Sequence, residues 1–305
     1  MTRDFRELGR DLSNWGRWGG DDERGTLNHI SPPAVVAAAR LVQRGEIFDL
    51  SIPINAKTPQ PGNLRTPPIR LMSETGADQQ MRGGFHFADD YVFMALQAAT
   101  QWDALCHVYY DEQLYNGYPA SEVSIHGGRR CSIDKLEHGV VGRGVLLDAP
   151  RHFDIPWLER GQAISPDDLD AMVAAQGVEI TSGDVLLLRT GWWHRYASEG
   201  ETREVMSGEP GLALECASWL ARHEIAAVAC DNYAVEAIPP ADRSAALALH
   251  MVLIRDLGMT LGEMFDLEEL AADCAADRRY EFLFCGARLN FTGAAGTPVA
   301  PFAIK

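Results

Sequence analysis

The sequence predicts a mixed α/β fold, and three observations carry that expectation. Short apolar runs of strand length recur at residues 47–54, 91–96, 144–148, 183–189 and 225–230. Segments with helical caps or Ala/Leu content fall between several of them, so strands and helices alternate rather than segregate. No internal repeat, low-complexity tract or long linker breaks the pattern, and 305 residues with 46% hydrophobic content can bury one sizeable core. The whole chain, 1–305, therefore reads as a single domain.

The opening region is loop-like, with Asn14, Trp15, Trp18 and Gly19 followed by the charged run 21–25. Residues 32–42 predict an Ala/Val-rich helix, with Pro32 and Pro33 in the first turn where a missing N–H costs nothing. A strand is expected at 47–54. Residues 55–90 hold much Pro and Gly without a sustained apolar period, which predicts a long loop; the N-terminal extension and this loop, about 1–90, are expected to pack on or cover a site. The run Tyr91-Val92-Phe93-Met94-Ala95-Leu96 favours β structure and predicts a buried strand. Further strands are expected at 144–148 and 183–189. Ser165 before Pro166, Asp167 and Asp168 marks a capped helix start with acids in its first turn. Residues 214–223 read as a helix and 225–230 as a buried strand ending at Asp231 and Asn232. Residues 244–254 are ambiguous, because their Ala/Leu content favours a helix while Met251-Val252-Leu253-Ile254 suits a strand equally well.

Composition excludes several classes of partner. The 43 acidic and 27 basic side chains give a formal charge of -16, which opposes binding to nucleic acid or to an anionic membrane. No stretch of 18 apolar residues occurs, and Met1-Thr2-Arg3-Asp4-Phe5 is not followed by an apolar signal core, so a cytoplasmic location is expected. The six cysteines are scattered without metal or redox spacing and read as free thiols. Cys106 beside His107 suggests a thiol nucleophile, but neighbours on a strand point to opposite faces.

The chemistry concentrates in residues 97–107, Gln-Ala-Ala-Thr-Gln-Trp-Asp-Ala-Leu-Cys-His. In an extended segment Gln97, Gln101, Asp103 and His107 share one face. Burying them is costly unless they bind one another, an ion or a substrate; an exposed strand end is the other reading.

This segment resembles the motif H-x-G-T-H-x-D-x-P-x-H of the metal-dependent cyclase family, to which kynurenine formamidase and isatin hydrolase belong. Thr100, Asp103 and His107 match it, whereas the two motif histidines fall on Gln97 and Gln101, its Gly on Ala99 and its Pro on Leu105. Further similarity runs through residues 15–28, 183–192 and 231–236, His250, Gly262 with Glu263, and 296–301. The form Thr-Gln-Trp-Asp is similar to that of a longer branch of the family.

The resemblance implies a cyclase-like fold of the swivelling β/β/α type, with a central, partly closed mixed β-sheet or barrel flanked by helices. It implies a metal-dependent hydrolase of a small cyclic or N-acyl amide, such as a lactam or formamide, or of a lactone. Asp103, His250 and Glu263 would hold one divalent ion, Gln97 and Gln101 would complete or border its shell, and His107 would move the proton. An amide oxygen is a weaker, harder donor than imidazole, so the glutamines lower affinity; with His250 present, Mn²⁺ or Zn²⁺ is expected. Alternatively the glutamines bind substrate or orient Asp103 and His107 in a site without metal. Trp102, His86, Trp192 and Asp231 are the expected substrate-binding residues, although aromatic side chains are more often packed and Asp231 also suits a structural role. Outside the resemblance, His250 reads as a core histidine and Glu263 as a surface or capping acid. The expected partners are a small-molecule substrate and further copies of the chain, as a dimer or tetramer. A lyase or cyclase using His107 as base, and a binder without turnover, are the competing functions.

Overall fold

The computed structural model describes residues 4–61, 65–77, 82–241 and 245–305. Its strands, in chain order, are β1 (Ile47–Asp49), β2 (Ile69–Glu74), β3 (Asp89–Phe93), β4 (Gln101–Asp103), β5 (Val123–Ser124), β6 (Gly127–Gly128), β7 (Val140–Asp148), β8 (Ala163–Ile164), β9 (Val185–Arg189), β10 (Gly211–Leu212), β11 (Ala227–Cys230), β12 (Thr260–Glu263), β13 (Glu281–Gly286), β14 (Gly296–Pro298) and β15 (Phe302–Ile304). Nine of them form one curled sheet in the order β1-β15-β13-β7-β9-β11-β12-β4-β14. The centre, β7 to β12, is parallel, and both flanks are antiparallel. The fold is thus mixed α/β with a half-closed sheet flanked by helices, as the sequence predicts.

The parallel strands are continuous apolar runs because both of their faces are covered. Leu146, Leu147, Leu186, Leu187, Val228 and Ala229 are all fully buried. The helix Pro166–Gln176 begins with a reciprocal cap: Ser165 accepts from the Asp168 N–H, and the Asp168 carboxylate accepts from the Ser165 backbone. The helix Pro32–Ala39 starts at its Ser31 cap as expected but ends three residues before the predicted boundary. The helix Phe5–Leu12, capped by Asp4, forms where the sequence suggested loop; it packs on the Met251–Leu257 segment.

Two expectations need correction. The run beginning at Tyr91 is not a buried strand. Its first three residues end β3, which among the described residues pairs only with β2 in an exposed hairpin, and residues 94–96 leave the strand, so residues 55–90 hold strand as well as loop. Apolar content marks surfaces that seek cover and does not say which element supplies it. Positions 62–64 and 78–81 of that expected loop lie outside the described residues.

Nor is residues 97–107 one extended segment. Turns close with Ala98 N–H donating to the Ala95 carbonyl and His107 N–H to that of Ala104, leaving only Gln101–Asp103 in the sheet. The ambiguous stretch near 250 is helical, Ala248–His250 running into a π-helical segment, Met251–Leu257; Ser244 lies outside the described residues. Among the described residues no helix is long and apolar enough to cross a membrane.

Candidate metal centre and active-site cavity

Two short antiparallel strands place most of the site. Gln101 on β4 stands opposite Glu263 on β12, and Trp102 opposite Gly262. Alternation puts Gln101, Asp103 and Glu263 on one face and Trp102 on the other. Trp102 is fully buried, edge-on to Phe265 and Phe284, and its indole N–H donates to the Gly286 carbonyl at 3.1 Å. A side chain at Gly262 would begin 2.6 Å from the indole ring, so the glycine is what admits it. Trp102 therefore builds the floor and does not face substrate.

The third element brings His250. Its own N–H donates to Glu236 Oε1 at 2.8 Å and the Leu249 N–H to Oε2 at 3.3 Å, fastening the start of the helical stretch. The imidazole lies between two carboxylates, Nδ1 3.1 Å from Glu236 Oε1 and Nε2 3.1 Å from Glu263 Oε1. Burial opposes its protonation, but these hydrogen bonds and charges prevail and lift its pKa to about 10. Glu263 is pushed above the usual carboxylate range by burial and by Asp103, against the pull of His250.

Asp103, His250 and Glu263 are all buried, with one ligand atom from each lying within 4.8 Å of the others. Asp103 Oδ2 has no hydrogen-bond partner among the described residues, nor does Gln101 Oε1. Gln101 Nε2 instead donates to Glu263 Oε2 at 2.6 Å and to Asp103 Oδ1 at 3.3 Å. Two buried carboxylates, an imidazole and an orphaned oxygen fit a divalent cation, since that set is otherwise expensive to bury. The Gln101 amide answers to either state. Its NH₂ can bridge the carboxylates, and the same side chain turned over presents its oxygen to a cation.

His107 returns to this cluster through the turn after Ala104, with Nε2 3.8 Å from Asp103 Oδ1. It lines a cavity of about 380 Å³ together with His250, Glu263 and Arg65. Tyr233 forms part of the wall, and its backbone N–H donates to buried Glu209 at 2.7 Å. Cys106 is no nucleophile: burial pushes its thiol up to about 12.

The remaining expected site residues lie elsewhere. The Gln97 side chain packs toward Gly296, whose missing Cβ gives it room, and no described contact joins it to the carboxylates. His86 sits in the β2–β3 connection, exposed, its Nδ1 2.6 Å from the Gly76 carbonyl. Trp192 is buried between Tyr196 and Tyr233, its indole N–H donating to Val205. Asp231 accepts from Thr190 N–H and hydroxyl and from Gly191 N–H at 2.6–2.8 Å, so it ties a loop rather than facing the cavity. Glu236 and Arg65 were not singled out in the sequence. Glu236 closes the similar stretch 231–236, a signal available without structure; Arg65 carries none.

A family model described as a putative cyclase matches residues 48–237. A solved structure described as a novel cyclase is 40% identical, covering 96% of this chain and 100% of its own, with a TM-score of 0.90. Isatin hydrolase A from Ralstonia solanacearum is 18% identical over 90% of this chain and 97% of its own, TM-score 0.64. A predicted metal-dependent hydrolase from Bacillus stearothermophilus is 16% identical over 86% and 98%, TM-score 0.55. The last two share the fold. A search of curated proteins returns no match.

Proposed function

This chain belongs to the cyclase family, and from that membership we propose that it is a metal-dependent hydrolase of a small cyclic or N-acyl amide, or of a lactone. One observation carries the reading: the buried Asp103–His250–Glu263 cluster opens, beside His107, into a cavity sized for a small molecule. Isatin hydrolase, a fold relative, names the same kind of bond.

A divalent ion held here, Mn²⁺ or Zn²⁺, would supply Lewis acidity and would lower the pKa of water. Asp103, His250 and Glu263 would hold it, with Gln101 turned to bring its oxygen inward. Glu236 orients the buried imidazole through Nδ1 and, together with Glu263, raises its basicity. His107, at the cavity face of Asp103, takes the proton from the attacking water and returns it to the leaving nitrogen or oxygen.

The test is metal analysis of purified protein, with activity on an amide and lactone panel before and after chelation. Activity should vanish with the metal and return on adding it back; full activity in metal-free protein overturns the reading. His107→Ala should lower kcat by about 10²–10⁴. Product mass separates hydrolysis, which adds water, from a lyase reaction at the same site. We further propose a homo-oligomer in a reducing, cytoplasmic setting, supported by the exposed apolar hairpin and by six cysteines that are all free.

A further inference from the structure

The cavity is apolar over much of its wall, with Pro61, Val108, Met206, Leu247 and Met264 among its lining residues. Its acidic end is the Glu263 cluster. Arg65 lines the same space, and its side chain is anchored rather than free: Nη1 donates to the Gln97 carbonyl at 2.9 Å. Among the described residues that bond is the guanidinium's only hydrogen bond and none of their carboxylates closes an ion pair with it, although Glu263 across the cavity feels its charge. The half-buried guanidinium carries five donors in a fixed fork. Pinned through one nitrogen, it keeps Nε and Nη2 as an edge suited to a planar carboxylate.

We propose that Arg65 binds a carboxylate on the substrate, so that the enzyme acts on small amides or lactones that are apolar in body and carry one carboxylate away from the reacting carbonyl. The inference rests on the hydrolase reading for the word substrate, but the binding it asserts does not require turnover. Electrostatics supports a local clasp. The chain's charge of -16 repels anions at long range, and the Asp103 and Glu263 carboxylates do so within the cavity. With a divalent ion offsetting those two carboxylates, the Arg65 charge is left facing the ligand. An apolar wall beside it lowers the local dielectric and strengthens the contact.

The experiment measures equilibrium binding by calorimetry on metal-loaded protein, with 3-phenylpropionate and its amide as probes. The acid should bind at least tenfold more tightly than the amide. In Arg65→Met that advantage should shrink below twofold, and in Arg65→Lys, which keeps the charge and loses the fork, it should fall between the two. Equal binding of acid and amide in the natural protein overturns the proposal. So does an advantage that survives Arg65→Met, because the carboxylate would then be held by the ion alone. Should Arg65→Met fail to fold, Arg65→Lys and the natural protein still decide the point, since loss of the fork must cost affinity for the acid and not for the amide. If the chain hydrolyses amides, the ratio of kcat/KM for an N-acylglycine to that for its glycinamide should fall at least tenfold in Arg65→Met. A protein that hydrolyses nothing yet binds the acid through Arg65 would sink the hydrolase reading and leave this one standing.

Discussion

His250 owes its properties to what stands behind it. Glu236 receives two backbone N–H groups and the imidazole Nδ1, so one carboxylate fixes both the helix start and the ring. Glu236→Gln keeps the shape but removes the charge that raises imidazole basicity. It should weaken divalent-ion affinity by about 10–100-fold while leaving the fold intact, as read by competition with a chelating dye and by circular dichroism. An unchanged affinity would mean that Glu236 serves the backbone alone. Sequence similarity pointed to Asp103, His250 and Glu263, and the structure brings these three together from β4, the helical stretch and β12. Gln97 and Gln101 looked equivalent on paper because a continuous strand would place both on one face. The turn at Ala95–Ala98 separates them, and only Gln101 meets the carboxylates. Arg65 was illegible for a related reason: its role depends on a cavity assembled from distant segments, which no local pattern encodes.

Elements in the centre of the sheet were legible because burial on both faces leaves an unmistakable apolar run, as in β9 and β11. The three-residue strand β4 was legible only as part of a longer extended segment, since its length falls below any period that would fix its ends. Its position is secured by packing instead. Trp102 fills the space that Gly262 leaves open, and Thr100 Oγ1 donates to the Met264 carbonyl at 2.5 Å, locking the two site-bearing strands together. Gly262→Ala should therefore cost about 1–3 kcal/mol by overpacking, because the nearest atoms belong to Trp102, Ala229 and Phe265 and have little room to give. Trp102→Ala should cost about 3–5 kcal/mol by leaving a cavity. Denaturant midpoints check both. Each should also lower ion affinity, since the floor of the site moves with the pair; if stability falls and affinity does not, the strands are not what positions the ligands.

At the scale of the whole molecule, an acidic chain must hold its sheet edge against its own charge. Lys305, almost fully buried beside β15, places Nζ 2.7 Å from Asp273 and 2.8 Å from Asp277, and Arg44 joins the same pair of acids. Partial burial resists ionisation of Asp273 and Asp277, but Lys305 and Arg44 at Asp273, and Lys305 with the Arg279 N–H at Asp277, outweigh it and hold both below their ordinary values. An acid whose pKa is depressed by folding adds stability above its unfolded pKa and loses it as pH falls through the folded value. Lys305 is raised, so its share is present below its unfolded pKa and is lost only at strongly alkaline pH. Lys305→Met should therefore destabilise the protein at neutral pH by more than the ~1 kcal/mol of an exposed pair and less than the ~3–5 kcal/mol of a buried one. Its stability should also fall less between pH 5 and 3 than that of the natural chain; parallel acid limbs in the two melting profiles would remove the clamp. The β2–β3 hairpin poses the complementary question of what covers an unsupported ribbon. Cross-strand pairing sets Ile69 opposite Phe93 and Leu71 opposite Tyr91, a single apolar face whose members are 47–71% exposed. A two-stranded hairpin is marginal in water, and this one leaves that face uncovered, while the other face carries the Arg70–Asp90 pair between exposed Met72 and Val92. A second copy of the chain satisfies the need most economically, because a two-fold axis lets the same face cover its twin. Light scattering should then find a dimer or larger species. Leu71→Ser combined with Phe93→Ser should weaken association at least a hundredfold, given ~1.5 kcal/mol or more for each of four side chains lost from a two-fold interface. A monomeric natural protein at micromolar concentration would rule this pairing out.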